Sequence, residues 1–326
     1  MAARFGWLVA GLAALLVVLG CVLVLPQWLV EQELGASMRT LTAAERAKAI
    51  NDVRTTLLQG VGGAAVLVGV FFTYRQLHTS REGQITERFS RAVEHLGSDK
   101  EDVQLGGIYT LERIGKDSPE DRRTVQAVLG GYVRTHARWV VGSPEVPQHP
   151  TPTVDLQLPW LQYRAPVVQV AVSVLGRRPR YRDEMPLNLS RVDLRGAFLD
   201  HARLSNALVR HTNLARARLV EVQLENADLE DADLRQANLQ RARLTGANLR
   251  KAYLQDADLR GADLRRADLR GANLQGANLQ GASLNGAQLE SAHADPATNW
   301  PDGFKPVHAG VVLIDRSADT PDGPES

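Results

Sequence analysis

Leucine recurs at every fifth position through residues 259–289, LRGADLRRADLRGANLQGANLQGASLNGAQL, with alanine two residues ahead of nearly every one. No standard element accommodates that beat. An α-helix advances about 100° per residue, so leucines five apart would scatter around its circumference. A flat strand alternates its side chains, so an odd spacing sends successive leucines to opposite faces, while the Ala-x-Leu pair inside a unit stays on one side. Both conditions are met only if the backbone turns a corner once per unit. Each short extended Ala-x-Leu segment then points inward and the next two residues bend. The spacing predicts a coiled β-solenoid with a continuous leucine core.

The frame runs unbroken from Leu189 to Leu289, with Val209 alone replacing leucine, and its inner companion is alanine except at Leu187, Val192, Thr212 and Val222. Core candidates are Leu194, Leu214, Leu229, Leu234, Leu249, Leu264 and Leu279, with Ala227, Ala247 and Ala267 beside them. Two residues after the leucines stand Gly246, Gly261, Gly271, Gly276, Gly281 and Gly286, or Asn206, Asn226, Asp231 and Asp256, types that favour turns. These A-(D/N)-L-x-x units resemble the pentapeptide-repeat family, which implies a right-handed quadrilateral β-helix with four units per coil. The segment would then make roughly five coils, about 25 Å long at the usual strand spacing. A narrow, densely packed bore also explains the small companion, since two large side chains per wall would not fit.

Ahead of the repeats the pattern changes twice. Residues 5–25, FGWLVAGLAALLVVLGCVLVL, carry no charge, and 57–74, LLQGVGGAAVLVGVFFTY, is nearly as long, so the chain reads as a two-span membrane hairpin within residues 1–78, spans about 5–28 and 57–75. Trp7 and Trp28 suit the two interfaces. Apolar residues continue past the sole cysteine, Cys21, with no small-x-small site close behind, which argues against a cleaved or lipoprotein signal. The glycines of GVGGAA match a dinucleotide fingerprint on paper, but no strand precedes them. Small residues four apart, Gly6, Ala10 and Ala14 in the first span and Gly60 with Ala64 and Ala65 with Gly69 in the second, allow close helix approach, in a hairpin or a dimer seam. Thr42 and Glu45 form a capping box for the second helix. Arg4, Arg75, Arg81, Arg88 and Arg91 narrowly outweigh Arg39, Arg46, Lys48 and Arg54 in the connecting loop, which orients both ends toward the cytoplasm of a bacterial plasma membrane.

Residues 79–140 return to helical periodicity, with apolar stripes at Ile85, Phe89, Val93 and Leu96, then Val103, Ile108, Leu111 and Ile114, then Val125, Val128, Leu129, Tyr132 and Val133. Capping boxes at Ser98 to Glu101 and Ser118 to Asp121 divide them into three helices. This stretch is similar to the segment preceding the repeats in membrane-anchored pentapeptide-repeat proteins of actinobacteria, a resemblance that implies architecture and no activity. Pro144, Pro147, Pro150 and Pro152 mark a stiff linker over 141–165. The apolar stretch within 166–185 reads as a helical lid on the solenoid of 186–293. Residues 294–314 form a C-terminal cap through Trp300 and Phe304, whose alternative is a ligand-stacking pair, and 315–326 read as a disordered tail.

Nothing in the chain reads as a catalytic, cofactor or metal site. There is no H-E-x-x-H, P-loop or G-x-S-x-G motif. His201 and His211 lie half a coil apart and cannot share an ion. Asp228, Asp233, Asp258, Asp263 and Asp268 sit just before leucines, where an Asx side chain bonds local backbone. Lys plus Arg number 38 against 37 for Asp plus Glu, so no overall field favours nucleic acid. The family resemblance carries one rival: some members mimic DNA toward gyrase and dimerise end to end. Mimicry needs an acidic face, yet residues twenty apart give mixed columns such as Arg210, Glu230, Arg250, Arg270. The reading is a membrane-anchored, non-enzymatic scaffold for an unidentified protein partner, with Arg250, Arg260, Arg265, Arg266 and Arg270 as its expected contact surface.

Overall fold

The computed structural model describes residues 19–20, 22–34, 42–139, 153–179 and 185–314, with the side chains of 77–82 excepted. Most of the first apolar span, with Gly6, Ala10 and Ala14, lies outside these residues, as do the four linker prolines and the tail. The described chain forms two compact units, Met1–Ile85 and Thr86–Ser326.

Helix α1 (Leu25–Leu34) lies in the first unit, and α2 (Ala43–Leu96) begins there and ends in the second. The capping box sets the start of α2: Thr42 N–H donates to Glu45 Oε2 at 2.9 Å, and Glu45 N–H donates to Thr42 Oγ1 at 3.4 Å. Its stretch Ala43–Gln76 has mean hydropathy 1.7 over the most apolar window, and none of that window is buried. Among the described residues it is the one helix long and apolar enough to cross a membrane. Gly60, Ala64, Ala65 and Gly69 are exposed on it. Where the sequence suggests a break at 78, α2 continues to Leu96, with no proline to interrupt the run.

In the second unit, α3 (Glu101–Asp117) and α4 (Arg122–His136) pack on each other and on α6 (Pro166–Gly176), with the single turn α5 (Leu161–Arg164) beside α6. Both expected starts slip inward. Ser98 Oγ accepts from Lys100 N–H at 3.2 Å and the helix begins at Glu101, while Ser118 to Asp121 form a turn ahead of α4. Ile108, Leu111, Leu129, Val133 and Ala171 fill this bundle at 1% exposure or less.

The repeats then wind upward. Parallel bridges join residues twenty apart, from Asn188 with Leu208 to Asn273 with His293. Twenty residues at five per side make a four-walled tube. Each corner is a four-residue turn, such as Ala237 N–H to Leu234 carbonyl at 3.0 Å, whose third residue has positive φ. The neighbouring coils take the wall's remaining groups: Leu234 N–H donates to Tyr253 carbonyl of the next coil at 2.7 Å and Asp233 N–H to Thr212 carbonyl of the preceding one at 2.9 Å. Inside, Leu194, Leu214, Leu229, Leu234, Leu249, Leu264, Leu279, Ala227, Ala247 and Ala267 are at most 2% exposed. Burying each leucine contributes about 1.5–3 kcal/mol before chain entropy is subtracted.

The tube's first coil would leave a row of unpaired backbone groups, and the helical segments cover it wall by wall. On the first wall, Asp193 N–H donates to Ala137 carbonyl at 2.7 Å and Trp139 N–H to Arg191 carbonyl at 2.8 Å, an antiparallel pairing. On the second, the Gln169 amide accepts from Phe198 N–H at 3.0 Å and donates to Phe198 carbonyl at 2.8 Å. On the third, Gly176 carbonyl accepts from Arg203 N–H at 2.6 Å and Arg178 donates to Arg203 carbonyl at 2.9 Å. On the fourth, Arg134 donates to Asn188 carbonyl at 2.7 Å. Gly176 must be glycine here, since a Cβ would lie 2.8 Å from Ala202 Cβ.

At the far end the register lengthens to twenty-one between Asn278 and Asn299. Asp295, 2% exposed, absorbs the extra residue: its Oδ1 accepts from Gly276 N–H at 2.8 Å, and its N–H donates to Thr298 Oγ1 at 3.1 Å. Strands β1 (His293–Ala294) and β2 (Val312–Leu313) pair in parallel to close the last turn. Trp300 and Phe304 stack on each other, 5.1 Å between centroids, and both are half-buried.

Candidate functional site

Function on such a tube resides in what points outward. Bridged columns identify the four walls: Asp193–Asn213–Asp233–Tyr253–Asn273, Phe198–Arg218–Asn238–Asp258–Asn278, Arg203–Gln223–Arg243–Asp263–Ser283, and Leu208–Asp228–Asn248–Asp268–Gln288. They are named below by Asp233, Asp258, Asp263 and Asp268.

The aspartates do bond local backbone. Asp233 Oδ1 accepts from Arg235 N–H at 3.1 Å, and Asp258, Asp263 and Asp268 repeat this with the residue two ahead at 3.2–3.3 Å. The same arginines then fold back and grip the carboxylate with two side-chain bonds. Arg260 holds Asp258 at 2.9 and 2.7 Å, Arg265 holds Asp263 at 2.7 and 2.6 Å, and Arg270 holds Asp268 at 2.8 and 2.5 Å. Such forked pairs are geometrically specific. The Arg265 bonds lower the Asp263 carboxyl to about 2, and those of Arg270 lower Asp268.

The arginines of the expected surface are largely paired. Arg260, Arg265 and Arg270 are neutralised in place, and Arg250 lies 3.7 Å from Asp268. Arg266 is exposed at a left-handed corner, φ 57°. The pairing signal was present in the sequence: in an extended segment, residues two apart share a side, so Asp-Leu-Arg places both charges outward together.

The Asp233 wall is different because the chain covers it. Residues 153–164, read from sequence as part of a linker, lie against its outer corner. Arg216 donates to the carbonyls of Asp155 and Leu158 at 2.9 and 3.0 Å, and Arg164 donates to Asp193 and to Arg195 carbonyl, both at 3.1 Å. Trp160 packs on Phe198 at 5.4 Å, while Arg195 stacks over Trp139 and Arg216 over Trp160. Burial raises the Asp193 carboxyl, but the bonds from Arg195 and the charge of Arg164 outweigh it and hold the group below its ordinary range. Higher on this wall Asp233 is 0% exposed and Arg235 6%.

His201 and His211 occupy left-handed corners half a coil apart, each facing a carboxylate one coil up: Glu221 at 3.3 Å and Asp231 at 3.9 Å. Among the described residues, no cluster of three or more His, Cys, Asp or Glu side chains could hold a metal ion. No outward column is uniformly acidic; on the Asp268 wall, Arg210 pairs with Asp228 and lies 3.7 Å from Glu230.

These walls define the class: a four-sided β-solenoid of five-residue units whose outer faces are flat and self-paired. The chain belongs to the pentapeptide-repeat family, whose model, described as pentapeptide repeats, matches in eight copies over 188–226, 217–256, 227–266 and 257–293. Among solved structures it is similar to alr5209, a pentapeptide repeat protein from Nostoc Pcc 7120, at 47% identity over 31% of this chain and 84% of that one, TM-score 0.31. HetL, a pentapeptide repeat protein involved in heterocyst differentiation regulation from Nostoc sp. strain PCC 7120, is 35% identical over 33% of this chain and 61% of its own, TM-score 0.23. QnrB1, a plasmid-mediated fluoroquinolone resistance protein, is 21% identical over 40% of this chain and 66% of its own, TM-score 0.26. No match is found among curated proteins.

Proposed function

We propose that this protein is a membrane-tethered, non-enzymatic interaction module that presents the solenoid walls left open by the described residues to a protein partner on the cytoplasmic side. The observation that carries the reading is the contrast in the apolar surface. Leucine and alanine are sequestered inside the tube, while the exposed large apolar residues concentrate on α2, including Val66, Leu67, Val70, Phe71 and Phe72 at 56–72% exposure. An unburied apolar window of that length is suited to lipid. The repeat walls offer a rigid grid of paired charges and amides, suited to recognising a polar protein surface by shape and hydrogen bonding.

The favoured contact surface is the Asp268 wall between the Arg266 corner and the Arg250–Arg270 corner. Its charges are already matched, so a partner meets a mixed field. That is unlike duplex DNA, with about one negative charge per 1.7 Å. Carbonate extraction tests the tether, and retention of the full chain in the membrane pellet is the expected result. Crosslinking from a photoreactive residue at position 248 in native membranes tests the wall. A discrete protein adduct that is lost with Arg250→Glu and Arg266→Glu supports it. Adducts equally abundant from position 258 would remove this wall as the contact face, and inhibition of gyrase supercoiling at micromolar protein would favour DNA mimicry instead.

A further inference from the structure

We infer that Asn285 is a site of spontaneous deamidation in the folded chain: the backbone nitrogen of Gly286 displaces the side-chain amide as ammonia and leaves a carboxylate at the upper rim of the tube. Of the chain's asparagines, Asn285 alone precedes a glycine. Glycine has no Cβ to shield its nitrogen, so a preceding carboxamide can reach it. Asn285 and Gly286 form a corner of the last coil, with Gly286 at φ 73°, and both are exposed. The reaction requires the peptide plane between them to swing until the Gly286 nitrogen faces Asn285 Cγ. A corner clamped from above cannot swing. Gly246, Gly261 and Gly271 N–H donate to the Arg265, Gln280 and Glu290 carbonyls of the coil above at 2.9, 3.0 and 3.1 Å, and Gly276 N–H donates to Asp295 Oδ1 at 2.8 Å. The Asp263 wall has its last bridge at Ser283, and among the described residues Gly286 N–H has no acceptor. The carbonyl of the same peptide accepts from Arg266 N–H at 3.0 Å, as its equivalents do at the corners below, so the difference lies in the N–H alone.

The chemistry balances without an oxidant or reductant. Gly286 N–H gives its proton to water, its nitrogen bonds to Asn285 Cγ, and the Cγ–Nδ2 bond breaks, releasing ammonia and closing a cyclic imide. Water then opens the imide at either carbonyl. One opening restores the backbone with an aspartate, and the other routes the backbone through the side chain as an isoaspartyl linkage. Exposed Arg266 lies one coil below, its Cγ 3.6 Å from where a Gly286 Cβ would stand. A neighbouring cation favours the anion that forms as Gly286 N–H loses its proton, and it afterwards faces the new carboxylate. Residues 271–289 carry no charged side chain, so the conversion gives this stretch its first charge. Because Arg266 borders the wall proposed above as the contact face, the change would alter that face, but the chemistry does not rest on that reading.

The full chain in detergent is incubated at mildly alkaline pH in heavy-oxygen water and digested, and each asparagine is followed by mass spectrometry. Label should enter at position 285 ahead of every other asparagine, with isoaspartate the major product. Gln275→Asn supplies an internal comparison: it creates a second Asn-Gly corner with the same flanking leucine and alanine, Leu274 and Ala277, whose Gly276 N–H is held by Asp295. In the folded variant, position 275 should convert about tenfold more slowly than position 285, because one hydrogen bond must open first. Rates are taken relative to those in urea, where sequence alone decides and the two positions should convert alike. Equal relative rates at the two positions in the folded variant, a faster rate at 275, or an intact Asn285 in the folded chain after the chain in urea has converted would each overturn the proposal.

Discussion

The Asp233 wall and the Asp263 wall carry the same Asp-Leu-Arg triplet, with the same Asx bond and the same forked ion pair. On the first the pair is sealed, with side chains 0% and 8% exposed; on the second they are 28% and 55% exposed. One motif therefore serves two purposes. In water it keeps a corner tidy and locally neutral. Under cover it is a buried ion pair, whose halves have lost hydration and depend on each other. The environment, and not the triplet, sets what the residues contribute.

The largest test of that contrast is removal of one partner. Asp233→Ala removes a fully buried carboxylate that Arg235 grips with two side-chain bonds and should cost about 3–5 kcal/mol, whereas Asp263→Ala should cost no more than about 1 kcal/mol. Denaturant unfolding of the full chain in detergent, followed by circular dichroism, reads both. Equal losses would erase the distinction between the walls. Next comes the cover itself. Trp160 is half-buried between Phe198 and Arg216, so Trp160→Ala should cost about 2 kcal/mol, below the range for a fully buried tryptophan. Amide exchange should rise around Gly196 and Arg216 and stay flat around Asp263.

A smaller effect comes from the corners. All twenty-one corner positions from Arg191 to Ser291 have positive φ, and fourteen are not glycine. Side chains there carry a penalty of about 1–2 kcal/mol, partly offset by the chain entropy glycine loses on folding. Lys251→Gly on an open corner should thus raise stability by about 0.5–1 kcal/mol. Arg216→Gly should lower stability, because the loss of the bonds to Asp155 and Leu158 outweighs the relief of the corner. Thermal melts of the two variants give opposite signs if this is right.

The smallest is the acid response of the open walls. Asp258, Asp263 and Asp268 all have folded values below the free carboxyl, Asp263 at about 2. For Asp258, burial pulls upward, and the bonds from Arg260 and Gln240 together overcome it. A depressed value means that the stabilisation is complete above the unfolded pKa of about 4. It is lost as the pH falls toward 2. Asp263→Asn keeps the acceptor for Arg265 N–H, as Asn273 and Asn278 do for the residues two ahead of them. That variant should show a flatter acid titration between pH 4 and 2, because it already lacks at neutral pH the stabilisation that the aspartate loses in acid.

Much of the tube was legible in the sequence because its determinants are local and repeat. The five-residue beat, the inward leucines and the small companions follow from geometry within one unit. The cover was not legible, because Asp155 and Arg216 are sixty-one residues apart and their bond runs from a side chain to a carbonyl. Composition around 141–165 signals stiffness, yet proline content says nothing of what a segment lies against. The pairing of the surface arginines is hidden for a different reason: columns compare residues across coils, while the partner sits two residues away along the chain.

The twenty-residue step between bridged positions from Asn188 to His293 has a consequence for how such a gene can change. Loss or gain of four whole units takes out or adds one storey and leaves every vertical stripe of chemistry aligned, so the molecule can change height while each side keeps its character. Loss of a single unit rotates everything above the scar by a quarter turn and sets unlike sides over one another. Selection acting on one side of this tower would therefore tolerate the first kind of edit and reject the second.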